Sequence, residues 1–332
     1  MKHPLAALFC ALALPLPAAE LIPVPPPDVP AAQWGTLAVP CTHLLRGEIV
    51  KGDLDKLASA DLYGGVLCLE SPGGEINEAL KIAEFIRSRS IGTRVPADAT
   101  CASACALAFM AGGKLGSDSG EGTVLDRAIH PTAKLGFHAP QLLVKDRLYS
   151  QDSVTAAYAL SLRILSRVVD TFVVTRATSE YDYAPQYIAP SLLSTLINTP
   201  PDQMTYVTTV NQAGRWNIGV WPIAPHPDGI DMQDFYQDCA NTVMWQSDVS
   251  AIGNRAFYHE WRAHPDFDGF AELRVVVDET SGLNCTYMLD MQSMQADAIA
   301  PADRDYFTFN VYGSRGPLST FAPETQINDL PH

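Results

Sequence analysis

Three short segments of this sequence carry residue types that could together perform acyl transfer: Ser71-Pro72-Gly73-Gly74, Cys101-Ala102-Ser103-Ala104-Cys105 and Gly136-Phe137-His138-Ala139-Pro140. Acyl transfer needs a nucleophile, a base to take its proton, and donors aimed at the oxyanion that develops in the transition state. Ser103 sits where a turn enters a helix of small residues, so its hydroxyl can project while the next amide, Ala104, points into the same space. A helix start also favours negative charge. Gly73 and Gly74 expose amides after another strand, and the missing Cβ lets a substrate approach closely. His138 ends a later strand and is the candidate general base. Singly, the segments read as a turn, helix filler and a structural histidine; their joint order is what points to chemistry. Ser71 is the rival nucleophile, but Pro72 follows it and has no N–H to offer an oxyanion.

The elements that must position these residues are legible from hydrophobic periodicity. Tyr63 to Leu69 is a nearly continuous apolar run, the pattern of a strand buried on both faces. The glycine turn follows, and then Ile76, Ala79, Leu80, Ala83 and Ile86 recur at helical spacing. The unit repeats: Ile91 to Val95 as a strand, Asp98 to Ala102 as a turn, Ser103 to Gly112 as a helix. Residues 116–130 read as a polar surface loop, Lys134 to His138 as a strand, and 152–177 as a long helix with Val154, Ala157, Leu160, Ile164, Val168 and Phe172 on its apolar face. Alternating strands and helices predict an α/β fold with a largely parallel sheet. Such folds gather ligands at strand ends, where Ser103 and His138 could meet. Beyond Pro222 to Gly229 the composition shifts to aromatic and strand-like residues, so 225–332 reads as a smaller mixed or β-rich accessory domain. Asp278 to Gly282 reads as a hairpin turn within it.

The chain has 332 residues, enough for two domains. Lys2 followed by the apolar Leu5 to Leu16 and small residues at Ala18-Ala19 reads as a signal peptide over 1–19. The proline-rich stretch over 20–40 reads as an extended tether. No later apolar run is long enough for a membrane-spanning helix. The formal net charge of −15 repels nucleic acid and anionic lipid, which argues against either as partner. Outside the leader six cysteines remain, an even number in an exported chain, which permits disulfides in any of 15 full pairings. Cys239 and Cys285 are alone in the accessory region and are expected to bridge. Cys101 and Cys105 are spaced by four, which on a regular helix separates their Cα atoms by about 6 Å, within disulfide reach. No Cys/His cluster has zinc-site spacing, and no cofactor is expected.

Leu69-Glu70-Ser71-Pro72-Gly73-Gly74, a helix, a short strand, Cys101-Ala102-Ser103-Ala104 and Phe137-His138-x-Pro140 together resemble the Clp-type serine proteases of the crotonase-like superfamily, and most of all their bacterial periplasmic relatives. The similarity covers about residues 45–220. It implies Ser103 as nucleophile, His138 as base, and the Gly74 and Ala104 amides as oxyanion donors. It also implies a peptide or protein substrate and a homo-oligomer. Glu70 stands where the family commonly has Asn. The family's third residue, an Asp before a strand, maps onto Asp202, with Asp170 as the alternative and a Ser–His dyad or another orienting group as the third reading. The expected function is that of an exported serine peptidase. Acyl-thioester chemistry on the same architecture is disfavoured by export. The other reading is a catalytically weak or inactive envelope protein that keeps the fold and binds peptides or protein partners. Architecture alone does not choose between them.

Overall fold

The continuous apolar run does become a strand, Val66–Glu70, buried at its first four residues, and it lies inside a parallel sheet. The computed structural model describes residues 18–24, 40–115, 123–141, 148–173, 186–224, 231–250, 258–263, 270–278, 283–290 and 316–332. Within these, the chain runs β1 (Glu20–Pro23), β2 (His43–Arg46), α1 (Asp53–Ala58), β3 (Val66–Glu70), α2 (Ile76–Ser88), β4 (Gly92–Val95), β5 (Thr100–Ala102) and α3 (Ala104–Met110). A short antiparallel pair comes next, β6 (Gly113–Leu115) with β7 (Thr123–Leu125), then β8 (Arg127–Ile129), β9 (Lys134–Phe137) and α4 (Gln151–Phe172). After these come α5 (Pro190–Asn198), β10 (Thr205–Tyr206), α6 (Val210–Arg215), β11 (Gly219–Val220) and α7 (Met232–Gln246). The last strands are β12 (Tyr258–Ala263), β13 (Phe270–Asp278) and β14 (Leu283–Asp290), succeeded by two short 3-10 turns.

The large sheet has the order β1-β2-β3-β4-β8-β11, parallel throughout except for the antiparallel β1–β2 edge. The segments immediately after the large-sheet strands build a second layer. In it β5 pairs parallel with β9, and β10 closes the far edge antiparallel to β9. Parallel bridges Ser71↔Cys101 and Ile49↔Gly74 extend the layer on the other side. The chain therefore repeats a pattern of large-sheet strand, small-layer segment and helix, and the small layer receives Ile49, Ser71–Gly74, β5 and β9 in turn. The turn, the serine and the histidine singled out in the sequence all lie at the end of this small layer, because each directly adjoins one of its segments.

The apolar face of α2 packs on α3, burying Ala79, Leu80, Ala83 and Ile86 as the spacing predicts; Ile82 is buried as well, and Ile76 only partly. Glu78, a charged residue between those apolar positions, is buried too: its Oε1 accepts the Gly52 and Leu54 amides at 3.0 Å each, capping α1, and its Oε2 accepts Lys81 at 3.0 Å. Two buried guanidinium groups bind the core together. Arg94 donates to Asp126 at 2.7 Å, and Arg127 reaches the carbonyls of Met110, Trp216 and Asn217. α4 forms as expected, but only its C-terminal end is buried, at Val168, Thr171 and Phe172; Val154 and Leu160 are exposed.

Part of the tether expectation is corrected. Glu20–Pro23 is not a free spacer but an edge strand on β2, with Pro23 at its end, where a missing N–H costs no ladder bond. Residues 1–17 and 25–39 lie outside the described residues, as do 116–122 of the expected loop and 279–282 of the expected turn; the rest of that expected loop is instead built into strands β7 and β8, and β8 is a buried strand of the large sheet. The strands either side of that turn pair antiparallel, β13 with β14, as a hairpin requires.

The C-terminal region is α7 on the three-stranded sheet β12-β13-β14, with Phe235, Cys239, Val243, Leu273, Val275, Cys285 and Tyr287 forming its own cluster. It is not cleanly separate. Trp245 at the other end of α7 belongs to the main core and lies against Gly214. The tail returns to the first region: Thr209 bridges Gln326, and the Ile327 amide donates to the Thr208 carbonyl at 2.8 Å. All three cysteine pairs bridge: Cys41–Cys68, Cys101–Cys105 and Cys239–Cys285, with Cα separations of 5.5, 5.2 and 5.7 Å. Among the described residues no helix is long and apolar enough to cross a membrane.

Asp238 is buried beneath this second region, accepting Tyr287 Oη at 2.6 Å and the Ser319 hydroxyl. Burial pushes its carboxyl above the usual range, and the two hydrogen bonds oppose that only in part. A raised folded-state pKa means the native state holds the proton more tightly. The stabilisation is present below the unfolded value of about 3.9 and is lost as pH rises through the folded value. Thermal melts across a pH series should therefore show the wild type losing ground to Asp238→Asn as pH climbs from about 4. Parallel melting curves for the two proteins would contradict this.

Candidate active site

Ser103 connects β5 to α3, and its backbone is unusual: φ is 57° and ψ is −123°. L-residues rarely adopt this conformation, which costs about 1–3 kcal/mol and is found at sites that use it. Its neighbours Ala102, Ala104, Cys105 and Ala106 are buried, whereas Ser103 itself is half-buried. The sharp turn thus pushes one hydroxyl out of an alanine-lined core. Its amide donates to the Gly136 carbonyl at 3.0 Å, which ties it to β9. Among the described residues its hydroxyl has no hydrogen-bond partner.

The glycine turn lies directly on this serine. A Cβ on Gly73 would stand 2.7 Å from Ser103 Cβ and 3.1 Å from the Ala104 nitrogen. Gly73 and Gly74 take φ of 110° and 138°, which glycine alone adopts freely. Gly74 meanwhile packs on the Ile49 backbone. Among the described residues no acceptor faces the Gly74 or the Ala104 amide. Because α3 has only seven residues, the helix as a whole adds little; the donor there is the Ala104 N–H itself. Ser71 is excluded as a nucleophile by more than Pro72. It is 1% exposed, and its hydroxyl is engaged within the turn, accepting the Gly73 amide at 3.1 Å and donating to the Gly73 carbonyl at 3.2 Å.

His138 comes directly after β9, the strand paired with β5, so it stands one strand across from Ser103 at the same end of the layer. Its Nδ1 meets the Ala139 carbonyl at 2.8 Å. A carbonyl only accepts, so Nδ1 is the donor of this contact; in the neutral ring that tautomer leaves the lone pair on Nε2, where a general base needs it. The Ser103 hydroxyl and the imidazole are not hydrogen-bonded to each other. In unliganded sites such contacts are often long and close only with substrate. His130, the other histidine after a strand of this core, belongs to the large sheet. Its Nδ1 accepts the Thr132 amide at 3.1 Å, and its ring packs edge-on against His332.

Neither candidate third residue is hydrogen-bonded to His138. Asp202 is exposed in the turn closed by the Gln203 amide on the Pro200 carbonyl, and Asp170 is exposed on α4; neither side chain makes a hydrogen bond among the described residues. The reason lies in the local pairing. The Ala139 amide donates to the Thr199 carbonyl at 2.9 Å, and β10 rejoins β9 at Thr205↔Phe137, so residues 200–203 bulge outward between these anchors. The hydrogen-bond partner of the imidazole is the Ala139 carbonyl, which no side-chain pattern reveals. Sequence reasoning also misses the part played by Gly136: its carbonyl fixes Ser103, and a Cβ there would meet Met204 at 2.7 Å. Its place two residues before the histidine is the signal that could have found it. Among the described residues no group of three or more His, Cys, Asp or Glu is arranged to hold a metal ion. Neither a scan against protein-family models nor a search of curated proteins returns a match.

Proposed function

We propose that this chain is an exported serine hydrolase acting on peptide or protein substrates from a Clp-protease/crotonase-like core, with Ser103 and His138 as a catalytic dyad. The observation that carries this is the Ser103 turn, a strained strand-to-helix junction that exposes one hydroxyl beside unpaired amides. Unrelated α/β hydrolases present their nucleophile on a strained turn of the same kind, which is support by analogy. Ser103 Oγ attacks the acyl carbon while His138 Nε2 takes its proton and returns it to the leaving group. The oxyanion faces the Ala104 and Gly74 amides, and water then releases the acyl group. The Ala139 carbonyl holds the imidazole tautomer but stabilises its cation less than a carboxylate does, so turnover is slower than in a full triad. The test is labelling of the wild-type protein with a fluorophosphonate probe, with peptide mapping of the product. The label is expected on Ser103. A folded protein that resists the probe favours the other reading, a non-catalytic envelope protein that binds peptides or partners, for which the missing Ser103–His138 hydrogen bond speaks.

Export is part of the same proposal, and of the two expected starts, Ala19 and Glu20, the contacts of Ala19 favour the first. Ala19 is fully buried, its amide donates to the Glu48 carbonyl at 2.8 Å, and its carbonyl accepts Lys56 Nζ at 2.7 Å. Loss of Ala19 would remove one of two acceptors of Lys56 Nζ, the other being the buried Asp53 at 2.7 Å. N-terminal sequencing of protein from the cell envelope is expected to begin at Ala19. A chain beginning at Glu20 would show that these contacts do not survive processing, and an intact Met1 would refute export.

A further inference from the structure

What holds Ser103 in place is a separate question, and its answer rests on the hydrolase reading of that residue. A non-glycine residue at φ 57°, ψ −123° lies outside the regions L-residues take unaided, and persists only where its surroundings over-determine it. The hydrogen bonds at this turn are few. The Ser103 amide meets Gly136 at 3.0 Å, and its carbonyl accepts the Ala106 and Leu107 amides at 3.0 and 3.4 Å. The flanking residues are Ala102, Ala104 and Ala106, so no large side chain wedges the turn into shape. The one covalent restraint is the Cys101–Cys105 bridge, and Ser103 is its midpoint. One sulfur comes from β5 and the other from the first turn of α3, with Cα atoms 5.2 Å apart. The spacing alone suggests a bridge on a regular helix; instead it spans the strand–helix junction, closing a ring around the nucleophile. That ring restrains the three residues between the sulfurs together, which no single hydrogen bond does.

We propose that the Cys101–Cys105 bridge is the positioning device of the Ser103 nucleophile, so that the site is assembled only in the oxidised chain. Formation is a thiol–disulfide exchange: the two thiols give up two protons and two electrons to a disulfide oxidant, which leaves as two thiols. In a reducing compartment the thiols stay free and the serine turn is unanchored; an oxidising compartment completes the site. Both cysteines are fully buried, so the bridge, once made, is shielded from reductant.

The test compares the labelling kinetics of three oxidised proteins: wild type, Cys101→Ala/Cys105→Ala, and Cys239→Ala/Cys285→Ala. Circular dichroism and melting temperature monitor the fold. Loss of the 101–105 bridge is expected to lower the maximal labelling rate about 10²-fold, the scale of a misplaced reacting group, with the half-saturating probe concentration unchanged. Loss of the remote bridge lowers the melting temperature and leaves the rate alone. A folded Cys101→Ala/Cys105→Ala protein that labels at the wild-type rate overturns the proposal, as does an equal slowing from the remote pair. Should the double variant not fold, wild-type protein refolded without oxidant supplies the same contrast. Its labelling should appear together with the bridged 101–105 peptide in a non-reducing map, and full labelling before the bridge forms overturns the proposal. Failure of the oxidised wild type to label at all removes the hydrolase reading and this inference with it, an outcome distinct from the other two.

Discussion

Ser103→Ala is expected to abolish fluorophosphonate labelling while leaving the melting temperature near that of the wild type. The two effects separate because the hydroxyl has no hydrogen-bond partner among the described residues and projects from a turn lined by alanines. Its removal opens little cavity, and alanine at φ 57° bears the same backbone strain as serine. His138→Ala should lower the labelling rate by about 10²–10⁴, the range for a lost general base. Ser71→Ala should keep the label, since that hydroxyl is spent inside its own turn. Label that persists in Ser103→Ala, or moves to Ser71, would remove Ser103 from the chemistry. Labelling of the His138→Ala protein at the wild-type rate would leave the base unassigned.

Gly73→Ala should damage the site through a single added methyl. The added Cβ would stand 2.7 Å from both the Ala102 carbonyl oxygen and Ser103 Cβ. Neither is the end of a flexible side chain that could swing away; one is backbone and the other is fixed to it. The φ of 110° is a second penalty, about 1–3 kcal/mol for an L-residue in such a region. The protein must relieve both by moving the glycine turn away from the Ser103–Ala104 peptide. The expected result is a lowered melting temperature and a labelling rate reduced by about 10²-fold, since roughly an ångström of misplacement costs that much. Gly52→Ala is the control: it too has positive φ, 99°, but a Cβ there meets nothing within 4 Å, so it should cost stability without slowing the label. A Gly73→Ala protein that labels normally would mean the turn does not help to shape the site.

The helix and strand pattern around the site was legible because buried parallel strands and amphipathic helices write their burial into local spacing, as Val66–Glu70 and α2 show. Exceptions arose where a distant partner decided burial. Glu78 is a charged residue between apolar positions, yet it is buried because the amides of Gly52 and Leu54 converge on it from another helix. Val154 and Leu160 read as core, yet α4 is buried only near its C-terminal end and both are exposed. Glu20–Pro23 reads as tether because proline dominates its surroundings, yet it completes a sheet edge that only β2 offers.

By itself the sequence determined the kinds of chemistry available: a serine among small residues, a glycine turn, a histidine after a strand, and cysteines that could pair. Residue type and local spacing are properties of the chain alone. The tertiary structure decided which of these meet. It placed Gly73 against Ser103, engaged the Ser71 hydroxyl, selected one set of three bridges among the possible pairings, and left Asp202 outside on a bulge. It also supplied the Ala139 carbonyl as the partner of the imidazole. These depend on strand register and on backbone atoms that every residue shares, so side-chain identity carries no record of them. A register is set by the sum of packing across a whole layer, and only the folded chain performs that sum.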